Sequence, residues 1–174
     1  VKDIVRILSA ALGVAPCLVL TNGTAPLIRR VHQLDLLRSQ PHALAFRVSI
    51  DHADAARHDA GRGWGNFRRA LEGLALLHQR GFAVSVTRQM SVGEDATAVA
   101  MAFRGMLARH GLPPDLGIVA LPDYDTPGRK PGHLPRAPVV PRYVRPVAFV
   151  VSFPMNARSV PAAAGLAALS CLLI

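Results

Sequence analysis

Amphipathic helical segments alternate with short apolar runs through the first two thirds of this chain. The apolar runs cover residues 17–21, 45–50, 83–87 and 116–121, and each has the length and character of a buried strand. Segments with apolar residues at helical spacing lie before and between these runs. Because strands joined through helices form right-handed crossovers, this alternation predicts an α/β fold whose parallel strands are adjacent in chain order.

The segments around the strands carry helix start and stop signals. Helices are predicted at residues 1–12, 24–38, 66–80 and 94–110. Thr24 is expected to cap the second of them, with Pro26 in its first turn. The apolar side chains expected to pack the third helix on the sheet are Phe67, Leu71 and Leu74. The segment from Asp51 to the start of that helix is predicted to be a polar loop.

Composition indicates one globular domain with a basic surface. The chain has 174 residues and 51% hydrophobic content, enough to bury a core. Its formal net charge of +9 and pI near 11.2 would suit an anionic partner such as nucleic acid. Only Lys2 and Lys130 are lysines, however, and several arginines sit singly on helix faces and do not form a block. The charge pattern therefore disfavours nucleic acid as a partner.

The two cysteines exclude the common cysteine frameworks. Cys17 and Cys171 are far apart and neither has a metal-ligand spacing, which argues against a disulfide framework and a zinc site. Cys17 opens an apolar run and is expected in the core. No signal peptide precedes the first helix, so a cytoplasmic location is expected. The chain begins with Val1, and we expect its true start to lie upstream.

The character of the sequence changes after Leu121. Seven prolines fall within residues 122–146: Pro122, Pro127, Pro131, Pro135, Pro138, Pro141 and Pro146. Residues 1–121 are therefore expected to form the α/β core, and residues 122–174 a proline-rich tail of uncertain structure with few contacts to the strands. Residues 147–153 could add one strand, and the apolar run 162–174 is too short to span a bilayer. A shifted reading frame, a truncated gene or a linker to another domain would each produce such a tail.

Polar residues gather where the second predicted strand ends. Ser49, Asp51 and Arg62 lie at its carboxyl end or in the loop that follows, which is the ligand-binding edge of parallel α/β folds. Each also has a structural alternative. Ser49 could bond to backbone, Asp51 could cap its own loop, and Arg62 could pair with Asp51 or Asp59. Asn22, after the first strand, suits a tight turn as well as a pocket floor.

Two further ligand types are less compatible with this loop. Imidazole and carboxylate groups suit transition metals, but their spacing here matches no established metal motif. The residues concerned are Asp51, His52, Asp54, His58 and Asp59. Gly61, Gly63 and Gly65 precede a helix as phosphate-cradling glycines do, yet their spacing fits neither the dinucleotide fingerprint nor the P-loop.

Four segments in this order resemble the core of radical S-adenosylmethionine enzymes. They are TNGT at 21–24, RVSID at 47–51, RHDAGRGWGNF at 57–67 and HQRGFAVSVT at 78–87. The resemblance implies a partial, TIM-like β/α barrel with parallel strands, incomplete in this chain. It also implies two cofactors in the intact protein, S-adenosylmethionine and a four-iron, four-sulfur cluster. The family's CxxxCxxC cluster motif is absent here.

The resemblance assigns roles to the polar residues at the strand ends. Residues 18–21 and 46–50 would be the third and fourth barrel strands, whose ends contact the ribose and methionine parts of the cofactor. Ser49 would hydrogen-bond the cofactor, and Arg62 would pair with its carboxylate, which suits a planar bidentate donor. Asn22 and Asp51 would complete this part of the pocket, and no catalytic residue or metal ligand is expected.

Two functions follow as hypotheses. The first is a fragment of a radical S-adenosylmethionine enzyme, which in intact form cleaves S-adenosylmethionine reductively at the cluster. On its own, the chain would be inactive and would bind neither cofactor stably. The alternative is a non-catalytic module that uses its basic surface to bind nucleic acid or another anionic ligand. The sequence identifies neither the substrate nor the oligomeric state.

Overall fold

Five parallel strands form one sheet in the computed structural model, which describes residues 3–121 and 149–152. The strands are β1 Cys17–Thr21, β2 Leu44–Ser49, β3 Ala83–Gln89, β4 Ile118–Leu121 and β5 Phe149–Ser152. The helices are α1 Ile4–Leu12, α2 Ala25–Ile28, α3 Val31–Leu34, α4 Ala55–Arg62, α5 Asn66–Gln79 and α6 Ala96–Arg109. A 3₁₀ helix, Asp35–Ser39, follows α3 directly.

The strand order in the sheet is β4-β3-β2-β1-β5, so β1 to β4 are adjacent in chain order. Val19 of β1 pairs with Phe46 of β2, which in turn pairs with Val84 of β3. Val86 pairs with Ile118 at the β3–β4 boundary. These pairings are all parallel, which confirms the predicted α/β class, the parallel sheet and the chain-order adjacency of the first four strands.

The fifth strand comes from the proline-rich tail and corrects one expectation about it. Residues 147–153 were a possible strand, and Phe149–Ser152 does pair in parallel with β1. This part of the tail therefore contacts the sheet directly. The pairing satisfies backbone N–H and C=O groups on the outer edge of β1 that would otherwise lack partners. The rest of the predicted tail, including the apolar run 162–174, lies outside the described residues. Within 3–121 and 149–152, no helix is long and apolar enough to cross a membrane.

The helices pack on one face of the sheet, called here the helix-covered face. Val19, Phe46 and Val48 are buried on this face and belong to the same apolar cluster as Leu71 and Leu74 of α5. Phe67 is partly buried against that cluster, which confirms the predicted packing of this helix. The residues that alternate with these along each strand point to the opposite face of the sheet, called here the open face. No apolar residue of the open face belongs to this cluster within the described part.

The helix predicted at 24–38 is broken into α2, α3 and the 3₁₀ helix. Arg30 has φ −110° and ψ 3°, which interrupts the helix between α2 and α3. The buried residues that follow are Val31, Leu34 and Leu37. Their three-residue spacing suits a 3₁₀-like turn, which explains why a continuous α-helix was wrong here. Thr24 does precede α2, but its hydroxyl donates to Asn22 Oδ1 at 2.8 Å and makes no cap hydrogen bond.

The loop predicted after Asp51 is also wrong in part, because residues 55–62 form α4. The side chain of Asp54 caps this helix by accepting a hydrogen bond from Arg57 N at 2.9 Å. His58 is the buried residue of α4. The helix has no apolar stripe, so periodicity alone could not indicate it.

Candidate functional site at the carboxyl ends of the strands

Parallel pairing brings the predicted site residues to one edge of the sheet. Thr21 of β1 pairs with Val48 of β2, so Asn22 and Ser49 leave adjacent strands at the same level. Ser49 also pairs with Thr87 of β3. Asp51 follows two residues after Ser49, just beyond the end of the strand. This edge is called here the rim. It carries Asn22, Ser49 and Asp51, and Arg62 reaches it through its ion pair with Asp51.

Arg62 and Asp51 form a bidentate ion pair across the rim. Arg62 Nη2 donates to Asp51 Oδ1 at 2.9 Å, and Arg62 Nε donates to Asp51 Oδ2. The two side chains are 30% and 15% exposed. This is the structural alternative foreseen for Arg62, with Asp51 and not Asp59 as partner. The guanidinium edge formed by Nη1 and Nη2 keeps donors that no described residue accepts.

Asp51 is fixed in turn by a buried histidine of α4. Its backbone N–H donates to His58 Nδ1 at 3.1 Å. His58 is 1% exposed, and its ring meets Phe67 edge-on with centroids 5.6 Å apart. Burial lowers the pKa of His58, and the nearby Asp51 carboxylate only partly opposes this shift. His58 is therefore a neutral acceptor that holds the backbone at Asp51.

The glycine-rich segment before α5 is bound by the protein's own carboxylate. Asp59 accepts hydrogen bonds from Gly65 N at 2.6 Å and Phe67 N at 2.7 Å. These bonds lower the pKa of Asp59, with the Phe67 amide the largest cause. Asp59 thus occupies the position at the α5 amino end that a phosphate would need, so the segment offers no anion cradle.

The remaining rim residues differ in their partners. Asn22 Oδ1 accepts from Thr24 N at 3.4 Å as well as from the Thr24 hydroxyl, which is the turn role expected as its alternative. Ser49 is half-buried and its hydroxyl has no hydrogen-bond partner within the described ranges. Among the four predicted cofactor residues, Ser49 is thus the one whose side chain the described structure leaves available.

The sequence did not single out a third group at this edge. Arg88, at the end of β3, donates to Glu94 through Nη1 at 2.9 Å and Nη2 at 2.5 Å. Both side chains are about nine-tenths buried, at 9% and 11% exposure. The hydrogen bond from Arg88 is the largest cause that lowers the pKa of Glu94. His52 lies close enough to interact electrostatically with Glu94. Burial is the largest cause that lowers the pKa of His52. The sequence signal was weak: an acidic residue lies six positions after a strand-end arginine, and that spacing alone does not establish a contact.

The described residues do not fit an iron–sulfur cluster. Cys17 is 3% exposed, and its thiol donates to Ala15 O at 3.5 Å. Burial raises the pKa of this thiol, which opposes the thiolate that cluster ligation needs. Among residues 3–121 and 149–152, no group of three histidine, cysteine or acidic side chains could hold a metal ion. The second cysteine, Cys171, lies outside that part of the chain.

No protein-family model and no curated protein matches this chain. Its function must therefore be inferred from the rim and the sheet. The rim combines one available hydroxyl, one arginine with free donors, and a carboxylate fixed in place. Such a set can bind a small polar ligand through hydrogen bonds and through a carboxylate on that ligand.

Proposed function

We propose that this chain is part of the partial β/α barrel of a radical S-adenosylmethionine enzyme and forms one side of its S-adenosylmethionine pocket. The observation that carries this proposal is that Ser49 ends β2 and that Arg62 pairs with Asp51, two residues further along the chain. In the resembling family, this edge contacts the ribose and methionine parts of the cofactor. The parallel order β1 to β4 is compatible with such a barrel. The open face would line its interior.

Each rim residue has a defined part in this proposal. The Ser49 hydroxyl hydrogen-bonds the cofactor, since no described residue uses it. Arg62 binds the cofactor carboxylate through Nη1 and Nη2 while Asp51 holds the other guanidinium edge. His58 positions Asp51 through its backbone. Asn22 shapes the turn that ends β1 and so borders the pocket.

The proposal assigns no cluster ligand to the described residues, because Cys17 is buried and bonded to backbone. The chain alone would hold only part of the cofactor's contacts. We therefore expect weak binding of S-adenosylmethionine by the isolated chain, with Kd on the order of 1 mM. In the barrel arrangement, the edge of β1 on which β5 lies is also the edge to which a preceding strand would pair.

Amide NMR of the full chain tests the proposal by titration with S-adenosylmethionine and, in parallel, with methionine and adenosine. We expect saturable shifts at Asn22, Ser49 and Asp51, and Ser49→Ala should weaken binding by about three- to tenfold, the loss of one hydrogen bond. Ser39→Ala is the matched control, since Ser39 is exposed and lies before β2, away from the rim.

Shifts absent from the rim would contradict the proposal. If double-stranded DNA instead binds with steep salt dependence and S-adenosylmethionine does not bind, the basic binding module is the better description. The exposed arginines that would then show the shifts include Arg29, Arg57, Arg68 and Arg104.

A further inference from the structure

A polar row crosses the middle of the open face below the rim. Arg47 of β2 pairs in register with Leu20 of β1 and with Ser85 of β3. One step nearer the rim, Ser49 pairs with Thr87. The row therefore consists of one guanidinium and three hydroxyl groups, with the apolar Leu20 beside it.

Arg47 has no carboxylate partner in the described part of the chain. Its Nε donates to Ser85 Oγ at 3.1 Å, and Ser85 Oγ lies 3.5 Å from Phe46 O, to which it donates. Nη1 and Nη2 have no described hydrogen-bond partner. The side chain is half-buried, and burial lowers the pKa of Arg47. A positive charge is thus partly shielded from water with no counter-charge among the described residues, an arrangement that an anion would stabilise.

Half-buried Arg30 donates to the backbone at Pro26 O, whereas three other arginines of reduced exposure have a counter-charge. Arg62, Arg80 and Arg88 are buried or half-buried, and each pairs with a carboxylate. Arg47 differs because its neighbours in register are Leu20 and Ser85. The hydrogen bond to Ser85 fixes the guanidinium through Nε and leaves the Nη1–Nη2 edge as a planar pair of donors.

We propose that Arg47 binds the carboxylate group of a small ligand on the open face, with Ser85 as the residue that positions the guanidinium. A carboxylate fits because its two oxygens match the two free nitrogens and its single negative charge matches one arginine. A phosphate dianion would favour a second cation beside Arg47, and the described residues place none in this row. This site does not depend on S-adenosylmethionine binding at the rim, because neither Arg47 nor Ser85 is a cofactor contact in that proposal.

The carboxylate could also belong to the chain itself. Nine of the eleven acidic residues lie within 3–121, and none of them pairs with Arg47. The other two, Asp123 and Asp125, lie outside the described residues. The two sources make opposite predictions, since a chain carboxylate would block an added one.

NMR of the arginine Nε–Hε groups in the full chain separates these cases. Sodium acetate and sodium succinate are titrated separately at constant ionic strength set with sodium chloride. We expect a saturable shift of the Arg47 signal in the wild type. Variants at position 47 lack this signal, so their binding is followed through the backbone amide of Ser85, the residue bonded to Arg47. Binding should be abolished in Arg47→Gln and weakened at least about fivefold in Arg47→Lys, which keeps the charge but loses the planar fork. Ser85→Ala should weaken binding less, and the control Arg57→Gln, on exposed α4, should bind like wild type.

Three results would overturn the proposal. One is the absence of a saturable Arg47 shift in the wild type and in the double variant Asp123→Asn/Asp125→Asn. Another is a shift that appears only in that double variant, which would identify the chain's own carboxylate as the partner. The third is equal binding by wild type and Arg47→Gln. Arg47→Lys serves as the decisive variant if Arg47→Gln fails to fold, as judged by circular dichroism.

Discussion

The backbone of Gly73 in α5 lies directly against the backbone of Gly23 in the loop after β1. A Cβ atom placed on Gly73 would lie 2.1 Å from Gly23 O, well inside van der Waals contact. Gly23 has φ 68°, and a Cβ there would come within 2.9 Å of Val48 Cγ1. Helix, loop and β2 therefore meet at two residues without side chains. This contact sets the distance between α5 and the turn that carries Asn22.

Gly73→Ala should destabilise the protein strongly. The new methyl group meets backbone that cannot move aside as a side chain can, so we expect the free energy of unfolding to fall by about 3 kcal/mol. Gly105→Ala in α6 is the matched control, because its Cβ would meet only Arg109 Nη1 at 3.5 Å. That control should gain up to about 1 kcal/mol from helix propensity. Urea unfolding of both variants measures the difference, and equal stabilities would show that the close contact is not present in solution.

The sheet could be predicted from sequence because its signals are local. Each of the first four strands is a short apolar run, and the alternation with helices dictates parallel pairing. Helix α4 was not predicted because it has one capping aspartate and one buried histidine in place of a periodic apolar stripe. The break at Arg30 was not predicted because apolar residues at three-residue spacing also fit one face of a continuous α-helix.

The position of the rim could be predicted from the sequence, but the hydrogen-bond and ion-pair partners of its side chains could be predicted only in part. Strand ends placed Ser49 and Asp51 at one edge, and Asp51 was one of two partners foreseen for Arg62. The choice between Asp51 and Asp59 depends on α4, which turns Asp59 toward the α5 amino end. The buried pair of Arg88 and Glu94 depends on a loop conformation that no spacing rule fixes.

Glu94→Gln should be costly because it leaves Arg88 buried without a counter-charge. Both groups are almost fully buried, so we expect a loss of about 3 kcal/mol in the free energy of unfolding. Glu72→Gln is the matched control, since the pair of Arg68 and Glu72 on α5 is 74% and 51% exposed. It should change stability by less than about 0.5 kcal/mol. Urea unfolding at neutral pH measures both, and similar small effects would contradict a buried ion pair.

His58 should make stability depend on pH in a defined direction. Its folded pKa lies below the ordinary value of 6.5, so below that pH the unfolded chain binds a proton that the folded chain does not. The free energy of unfolding should therefore fall as the pH falls below 6.5, by at most about 1.4 kcal/mol per pH unit for this group. His52, whose pKa burial also lowers, adds to the same trend.

His58→Asn tests this assignment because the amide oxygen can still accept the Asp51 N–H but does not titrate. We expect the variant to be less stable than wild type at pH 8 and to lose less stability between pH 7 and pH 5. His110→Asn, at the exposed end of α6, is the control and should keep the wild-type slope. An unchanged slope in His58→Asn would mean that His58 is not the buried, neutral group described here.

Cys17 should be chemically inert in the folded protein. Its thiol is buried and bonded to Ala15 O, and burial raises its pKa, so neither the thiolate nor access is available. In Cys171→Ser, which leaves Cys17 as the single thiol, we expect iodoacetamide to label the native chain at least about a thousandfold more slowly than the chain in urea, as global unfolding would limit the reaction.

The same reasoning predicts that anaerobic reconstitution of the wild type retains no stoichiometric iron and sulfide, because two thiolates at most cannot replace the three or four that a cluster requires. Iron and sulfide assays after desalting measure this directly. Fast labelling of native Cys17, or a retained cluster, would show that this strand opens readily and that the core described around β1 is not the stable state in solution.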